Sequence, residues 1–316
     1  MNDFENNEEF NDGIHILELF AVLWLNKRFI AIFTAFAGLI SILISLSLTN
    51  IYTAQTLLTP TTSSSSSSML SQYSGLASMA GVNLTNSGSN NQLEVALNLA
   101  KSKKLIERLM LYESFLPNLL AAKSWNVQTN IINYNQSLYD SKNNEWVRKV
   151  SLPFKQIPSS QEALNKFSKL VSISQDKKTQ LVTLKVDHLS PVVAQQWSLW
   201  IVKEINTILS NMEINNSQAS IDYLNSQIKI TPYSELRTMF YQLIQESTQS
   251  MMLAKVNPEY VLTTIDPPVI PEIKSKPNRA LICILTTLLG AMLSILIVLF
   301  RKYGLSKDHP LDIYRL

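Results

Sequence analysis

The sequence contains little cysteine and little glycine. One cysteine, Cys283, occurs among 316 residues, so the chain has no internal disulfide bond. With only seven glycines, the chain does not have the composition of a glycine-rich enzyme scaffold. Its 46% hydrophobic residues favour long regular elements instead. The folded part must therefore be held together by packing and by assembly.

Recognisable catalytic and metal-binding motifs are also missing. No H-E-x-x-H, G-x-S-x-G or nucleotide-binding G-x-x-x-x-G-K-[ST] pattern occurs. The three histidines fall in separate segments: His15, His188 and His309. Four carboxylates are expected on solvated helix faces rather than as paired acids: Asp176, Glu204, Glu235 and Glu246. We therefore predict a protein that is not an enzyme, with no catalytic residue, cofactor or metal ligand.

Long hydrophobic runs are what the chain does possess. Phe29 to Leu48 and Ala280 to Phe300 carry no charge, and each would span about 30 Å as a helix. The first run starts only after an acidic segment and has no small-residue cleavage site behind it, which argues against a signal peptide. We predict transmembrane helices at residues 29–48 and 280–300.

Basic residues beside the first run set the predicted orientation. Lys27 and Arg28 precede it, and no further Lys or Arg follows until Lys101. Residues 1–28 are therefore expected in the cytoplasm, residues 49–279 across the membrane, and the tail 301–316 back in the cytoplasm. The net charge is only +3, and no concentrated basic patch with interleaved aromatic residues occurs in the sequence. Nucleic acid is therefore not an expected partner.

The exported segment mixes strand and helix patterns in its first half. β-Branched and aromatic residues predict a strand over Ile51–Thr59 that Pro60 ends or leaves at an edge. A Ser/Gly/Asn-rich tract follows to about residue 91, with one short helix expected at 73–80. Helical spacing then predicts one helix over 92–111, and 125–149 is expected to be irregular.

The second half carries clearer signals. We predict a helix over 159–170 with Ser160 as N-cap, and a hairpin of strands at 171–174 and 181–187. Ser190 and Pro191 mark the start of a long helix that runs to about Ile230. A helix over 233–255, a strand over 260–265 and a proline-rich exit over 266–277 complete an α/β (α+β) domain with a long projecting helix.

Small residues recur every four positions inside both hydrophobic runs. They are Ala37, Ser41 and Ser45 in the first run, and Gly290 and Ser294 in the second. Small side chains let two helix backbones approach closely in lipid. We predict that these residues pack the spans together.

Three stretches carry a resemblance to a known family: IHILELFAVLWLNKRFI, NPEYVLTTIDPPVIPEIKSKPNRALI and TTLLGAMLS. They resemble the Wzz-type polysaccharide co-polymerases, the O-antigen chain-length determinants of Gram-negative inner membranes. LNLAKSKKLIERL and KVDHLSPVVAQQWSLWIVKEIN are similar to the family more loosely. The resemblance implies a two-pass inner-membrane homo-oligomer with both termini in the cytoplasm and a periplasmic α/β domain.

The resemblance also implies a non-enzymatic function in lipopolysaccharide biosynthesis. The oligomer would act with the Wzy polymerase, and with lipid-linked glycan as a candidate partner, to set O-antigen chain length. Candidate oligomer-positioning or polymerase-facing residues are Pro267, Pro268, Pro271, Pro277 and Gly290. The alternative is that the prolines only end a strand and lead the chain into the bilayer. Two alternatives stay open: a capsule or exopolysaccharide co-polymerase that works with a separate kinase, and a two-span periplasmic sensor.

Overall fold

The computed structural model describes residues 22–61 and 89–304 of the chain. The predictions for the acidic N-terminal segment, for the short helix at 73–80, for the tail, and for His15 and His309 lie outside these described residues. Residues 22–25, shortly before the first hydrophobic run, are helical. The chain divides into two compact units, one of residues 1–49 with 276–316 and one of residues 50–275.

The elements follow one another in this order: α1 (Lys27–Ser47), β1 (Tyr52–Pro60), α2 (Ser89–Leu99), α3 (Lys103–Leu109), α4 (Phe115–Leu120), β2 (Ala122–Trp125), β3 (Ile132–Tyr134), β4 (Tyr139–Asp140), β5 (Glu145–Trp146), α5 (Ser160–Phe167), β6 (Val171–Gln175), β7 (Val182–His188), α6 (Pro191–Ile230), α7 (Ser234–Val256), β8 (Leu262–Asp266) and α8 (Arg279–Leu299), with a π-helical turn at Phe300–Gly304. The predicted mixed α/β fold with a long helix and two flanking candidate membrane helices is confirmed.

The two helices α1 and α8 form the first unit and are long and apolar enough to cross a membrane. Most of their large apolar side chains face outwards, for example Ile32, Leu43 and Ile284. A water-soluble helix pair would instead turn such side chains towards a core. The outward apolar faces are therefore suited to lipid.

The second unit is built on a four-stranded antiparallel sheet in the order β6-β7-β1-β8. Alternate residues of β1, including Ala54, Thr56 and Leu58, are buried on one face. Helix α6 packs on this face, where the Thr56 and Ser198 hydroxyls lie 2.6 Å apart. The buried face of β1, which its alternating side chains create, and the apolar side of α6 thus form one core.

Trp197 of α6 lies at the centre of that core. Its ring centroid lies 5.0 Å from that of Phe115 on α4 and 6.4 Å from that of Phe167 on α5. All three side chains are fully buried. Helices α4 and α5 are thereby held against the long helix on the sheet.

The region predicted as one helix over 92–111 consists of two helices instead. The chain turns at residues 100–102, and the Ser102 hydroxyl accepts a hydrogen bond from the Leu105 backbone amide to cap α3. Ala100 and Leu105 are both buried. The turn lets both helices direct apolar residues into the same core, which a single straight helix would not do.

Other local predictions differ in detail. The N-cap of α5 is Ser159 rather than Ser160, because Ser159 and Glu162 form a reciprocal capping box. Residues 125–149, predicted as irregular, contain β3, β4 and β5, and helix α4 was not predicted. These elements are too short for a clear periodicity to appear in the sequence.

Candidate functional surfaces

The small residues predicted to pack the spans lie along one stripe on each helix. A Cβ atom built on Gly290 would lie 2.5 Å from the Cβ of Ala37, and one on Gly38 would lie 3.1 Å from Thr287 Cγ2. At the first distance any larger residue would force the helices apart. Glycine at 290 therefore permits the close approach of α8 to α1.

Serine hydroxyls continue both stripes. Ser41 and Ser45 follow Ala37 at four-residue intervals and are buried, and Ser294 follows Gly290 and is buried as well. Ser294 Oγ donates to the carbonyl of Ala291 at 2.7 Å, whereas the hydroxyls of Ser41 and Ser45 have no partner among the described residues. The structure thus places the predicted small residues on the faces that meet, and their importance for function stays a prediction.

The proline-rich exit is divided between the two units. Pro267, Pro268 and Pro271 belong to the unit that contains the sheet, and Pro277 and Gly290 belong to the membrane unit. Pro268 is buried, and its carbonyl accepts a hydrogen bond from Gln195 Nε2 at 3.0 Å, whereas Pro267 is exposed. Pro271 and Pro277 are half-buried. Their predicted role at an oligomer or polymerase surface stays a prediction.

The two ends of the sheet unit are joined by hydrogen bonds. The Ser275 amide donates to the carbonyl of Ile51 at 2.8 Å, and the Thr53 amide donates to Ser275 Oγ at 3.2 Å. The chain therefore enters and leaves this unit at the same place.

The distal part of the long helix pair is a second candidate surface. Beyond Leu209, only Ser217 of α6 is buried, and α7 buries only Ala254. Several large side chains are exposed along these two helices: Met212, Tyr223, Ile230, Tyr233, Leu236, Tyr241, Met252, Leu253 and Val256. Exposed aromatic and Met side chains in this number are typical of a protein contact surface.

Glu204 was predicted on a solvated helix face, and this prediction is wrong. Its side chain is only 6% exposed and accepts hydrogen bonds from Arg108 Nε at 2.8 Å and from the Tyr112 hydroxyl at 2.9 Å. Tyr112 stacks on Trp200 with ring centroids 4.1 Å apart. Burial, together with the hydrogen bond to Glu204, raises the pKa of Tyr112. The cluster ties α3 and the chain after it to the long helix.

His188 has a structural environment. It is buried, its Nδ1 accepts from the Ser190 amide at 3.0 Å, and its Nε2 lies 3.1 Å from the carbonyl of Asn118. A neutral ring with its proton on Nε2 satisfies both contacts. Burial lowers the pKa of His188, which favours that neutral form.

Asn206 is an important residue that the sequence analysis missed. Its side-chain carbonyl accepts from the amides of Val261 and Leu262, and its Nδ2 donates to the carbonyl of Leu262 at 2.9 Å. This buried amide attaches β8 to α6. A lone asparagine within a long helix gives no sequence signal that distinguishes it from a solvated one.

Among the residues that the structure describes, no three His, Cys, Asp or Glu side chains are grouped so that they could bind a metal ion. The carboxylates Asp176 and Glu162 are engaged locally, the first in a turn and the second with Arg148. The surfaces described above are the remaining candidates for function.

Comparison with known protein families gives two matches. Residues 12–110 match the family described as "Wzz: Chain length determinant protein", and residues 234–303 match the "G-rich domain on putative tyrosine kinase". A search of curated protein sequences finds no match to the chain. The predicted resemblance to the Wzz-type polysaccharide co-polymerases is confirmed by the first match.

Solved structures of co-polymerases are also similar to the chain. A structure described as a full-length bacterial polysaccharide co-polymerase is 15% identical, with a TM-score of 0.38, and the match covers 94% of this chain and 100% of that one. A fragment of WzzB, a polysaccharide co-polymerase from Salmonella Typhimurium, is 13% identical with a TM-score of 0.26. That match covers 72% of this chain and 100% of the fragment.

Proposed function

We propose, from the premise that the chain is a Wzz-type polysaccharide co-polymerase, that it regulates the length of lipopolysaccharide O-antigen without catalysing a reaction. It acts as a homo-oligomeric scaffold in the bacterial inner membrane, together with a Wzy-type polymerase. Both termini lie in the cytoplasm, and residues 49–279 lie in the periplasm between spans at 29–48 and 280–300. Lipid-linked glycan is the candidate third partner.

The observation that carries this proposal is the Wzz match over residues 12–110. That match runs through α1, β1, α2 and α3, so it includes a candidate membrane span, the central strand β1 and part of the core. The joined ends at Ile51 and Ser275 support an insert between two spans. The exposed distal pair of α6 and α7 supports assembly with further copies.

The experiment that tests the function is a deletion strain, complemented by the gene, with its lipopolysaccharide resolved as a ladder on a gel. We expect the modal cluster of long chains to disappear on deletion and to return on complementation. Complete loss of polymer would indicate a role in synthesis or export instead. An unchanged ladder would contradict the proposal and favour the sensor alternative.

A second candidate function is a capsule or exopolysaccharide co-polymerase that works with a separate tyrosine kinase. The match of residues 234–303 to a domain described on tyrosine kinases favours it. This match contains α7, β8, the proline-rich exit and α8. Deletion of a kinase gene beside this one would separate the two functions, since only the second predicts a loss of polymer in that strain.

We assign the polymerase-facing or oligomer-positioning role to Pro267, Pro268, Pro271, Pro277 and Gly290, and span packing to Ala37, Ser41, Ser45 and Ser294. The test replaces Pro267 and Pro268 by alanine, with Pro258→Ala, at another exposed proline, as the matched control. We expect the double variant alone to shorten or broaden the glycan distribution. Normal glycan lengths at normal expression and oligomer mass would contradict the assignment.

A further inference from the structure

A short apolar loop lies beside the start of β1. The hairpin of β2 and β3 ends in the loop 126–131, and Trp125 at the base of this loop packs edge-on against Tyr52, with ring centroids 5.3 Å apart. Tyr52 begins β1, the first strand after the predicted span. The loop is thereby held at the end of the sheet where the chain enters it.

We propose that this loop inserts into the interfacial layer of the bilayer and anchors the sheet unit to the membrane surface. The inference rests on the proposed two-pass topology, in which the first span ends at Leu48. Tyr52 is the fourth residue after Leu48, which is at most about 14 Å of extended chain. The polar layer of a bilayer extends roughly 5 to 8 Å beyond the hydrocarbon core on each side, so this short connection allows Tyr52 and Trp125 to lie in that layer.

The loop presents apolar side chains that have no cover within the described residues. Val127 is 68% exposed and Ile131 is 58% exposed. A bilayer surface would remove both from water, and an aromatic side chain such as Trp125 is typical of the same layer. The occupant of this surface is therefore lipid.

The loop is also suited to a layer where water is scarce, because three of its six backbone amides have hydrogen-bond acceptors within the loop. The Asn126 side chain accepts hydrogen bonds from the amides of Gln128 and Thr129, at 2.9 and 3.3 Å. The Asn126 amide donates to the carbonyl of Ile131 at 2.9 Å. Trp125 Nε1 donates to Asn130 Oδ1 at 2.9 Å, so the indole nitrogen has a partner as well. These three amides and the indole would keep their hydrogen bonds on insertion.

Exposed lysines lie at the same end of the unit. Lys123 stands on β2, two residues before Trp125, and Lys274 precedes Ser275, whose hydroxyl accepts from the Thr53 amide. Basic side chains near a membrane surface are attracted to anionic lipid headgroups. Their charge is therefore complementary to the proposed occupant.

The test measures depth with a spin label in the full chain. Cys283→Ser removes the native thiol, and Val127→Cys or Ile131→Cys introduces a label into protein reconstituted in vesicles of phosphatidylethanolamine and phosphatidylglycerol. Gln218→Cys, an exposed polar site on the distal part of α6, is the matched control, and Leu43→Cys, on the outer face of α1, calibrates the depth scale. Accessibility to oxygen, which concentrates in lipid, is compared with accessibility to a water-soluble nickel complex.

We expect the ratio of oxygen to nickel accessibility at residues 127 and 131 to be several-fold higher than at residue 218 and lower than at residue 43. A ratio equal to that at residue 218 would overturn the proposal. Shielding from both reagents, with dipolar broadening that disappears on dilution with unlabelled protein, would also overturn it and identify a second copy as the occupant. The spin-label measurement needs no glycan. A negative result there is therefore distinct from an unchanged lipopolysaccharide ladder, which would contradict the proposed function.

Discussion

The two halves of helix α6 differ sharply although they belong to one continuous element. Residues 191–209 bury almost a whole face against the sheet, including Trp197, Ile201 and Ile205, whereas residues 210–230 bury only Ser217. The first half is stabilised by its own chain. The second half is followed by α7, which buries only Ala254 among its described residues. The comparison indicates that packing within one copy holds the first half; in the proposed oligomer, the second half is the surface left for contacts between copies.

The largest expected effect comes from breaking the buried half. Trp197→Ala would remove a fully buried ring that contacts Phe115 and Phe167, and large-to-small changes of this kind cost about 3 to 5 kcal/mol. The midpoint of urea unfolding of the purified full chain should fall accordingly. Tyr223→Ala, on the exposed half, is the control and should change the free energy of unfolding by less than about 0.5 kcal/mol. Equal losses for both variants would remove the distinction between the halves.

The Glu204 cluster should contribute less than the aromatic core. Glu204→Ala leaves the Tyr112 hydroxyl and Arg108 without their acceptor, but Arg108 is 45% exposed, so water compensates part of the loss. We expect a cost of about 1 to 2 kcal/mol, below the range for fully buried pairs. In an Arg108→Ala background the same change should cost less. Identical costs in both backgrounds would show that the two side chains are not coupled.

The pH dependence of stability should report on His188, whose ring lies 5.0 Å from that of Trp197 in the buried half. Its pKa is lowered in the folded state, so the unfolded state binds more protons as the pH falls below about 6.5, the ordinary histidine value. Stability is therefore complete above that pH and decreases below it. His188→Asn should flatten the fall in Tm between pH 6.5 and 5. An unchanged slope would assign the pH dependence to other groups.

Glu246 on α7, the helix that follows the second half of α6, should change the pH dependence of stability in the opposite direction. Partial burial raises the pKa of Glu246 on α7, so the folded state holds its proton more readily than the unfolded state does. Its contribution to stability increases as the pH falls towards its ordinary value of 4.5. Acid therefore lowers the free energy of unfolding through His188 and raises it through Glu246.

The smallest effect on stability, and the sharpest on assembly, is expected at the exposed aromatics. Tyr223→Asp with Tyr241→Asp should leave the unfolding free energy within about 0.5 kcal/mol, because both side chains are exposed. In the proposed oligomer, however, the charges would face another copy, so particle mass in detergent should fall and the glycan distribution should change. Gln218→Asp, at an exposed polar site on α6, serves as the control. Unchanged mass and unchanged glycan would place the contacts between copies elsewhere.

Much of the fold was predictable from local patterns. The two apolar runs correspond to α1 and α8, Ser190 with Pro191 starts α6, and alternation over 181–187 corresponds to β7. The resemblance to the Wzz-type family came from short stretches near the spans, and the family match confirms it. These features depend on period, capping and run length, which a sequence displays directly.

The sequence by itself therefore determined the type of most of the longer elements, the candidate spans and the long uninterrupted helix. Only the tertiary structure decided that Glu204 and Asn206 are buried anchors, that residues 100–102 form a turn, and that Gly290 faces Ala37. The same holds for Trp125, which the hairpin brings against Tyr52 from 73 positions away. The physical reason is that burial and pairing depend on which distant segments meet, and neither helical period nor composition encodes the partner across such a separation.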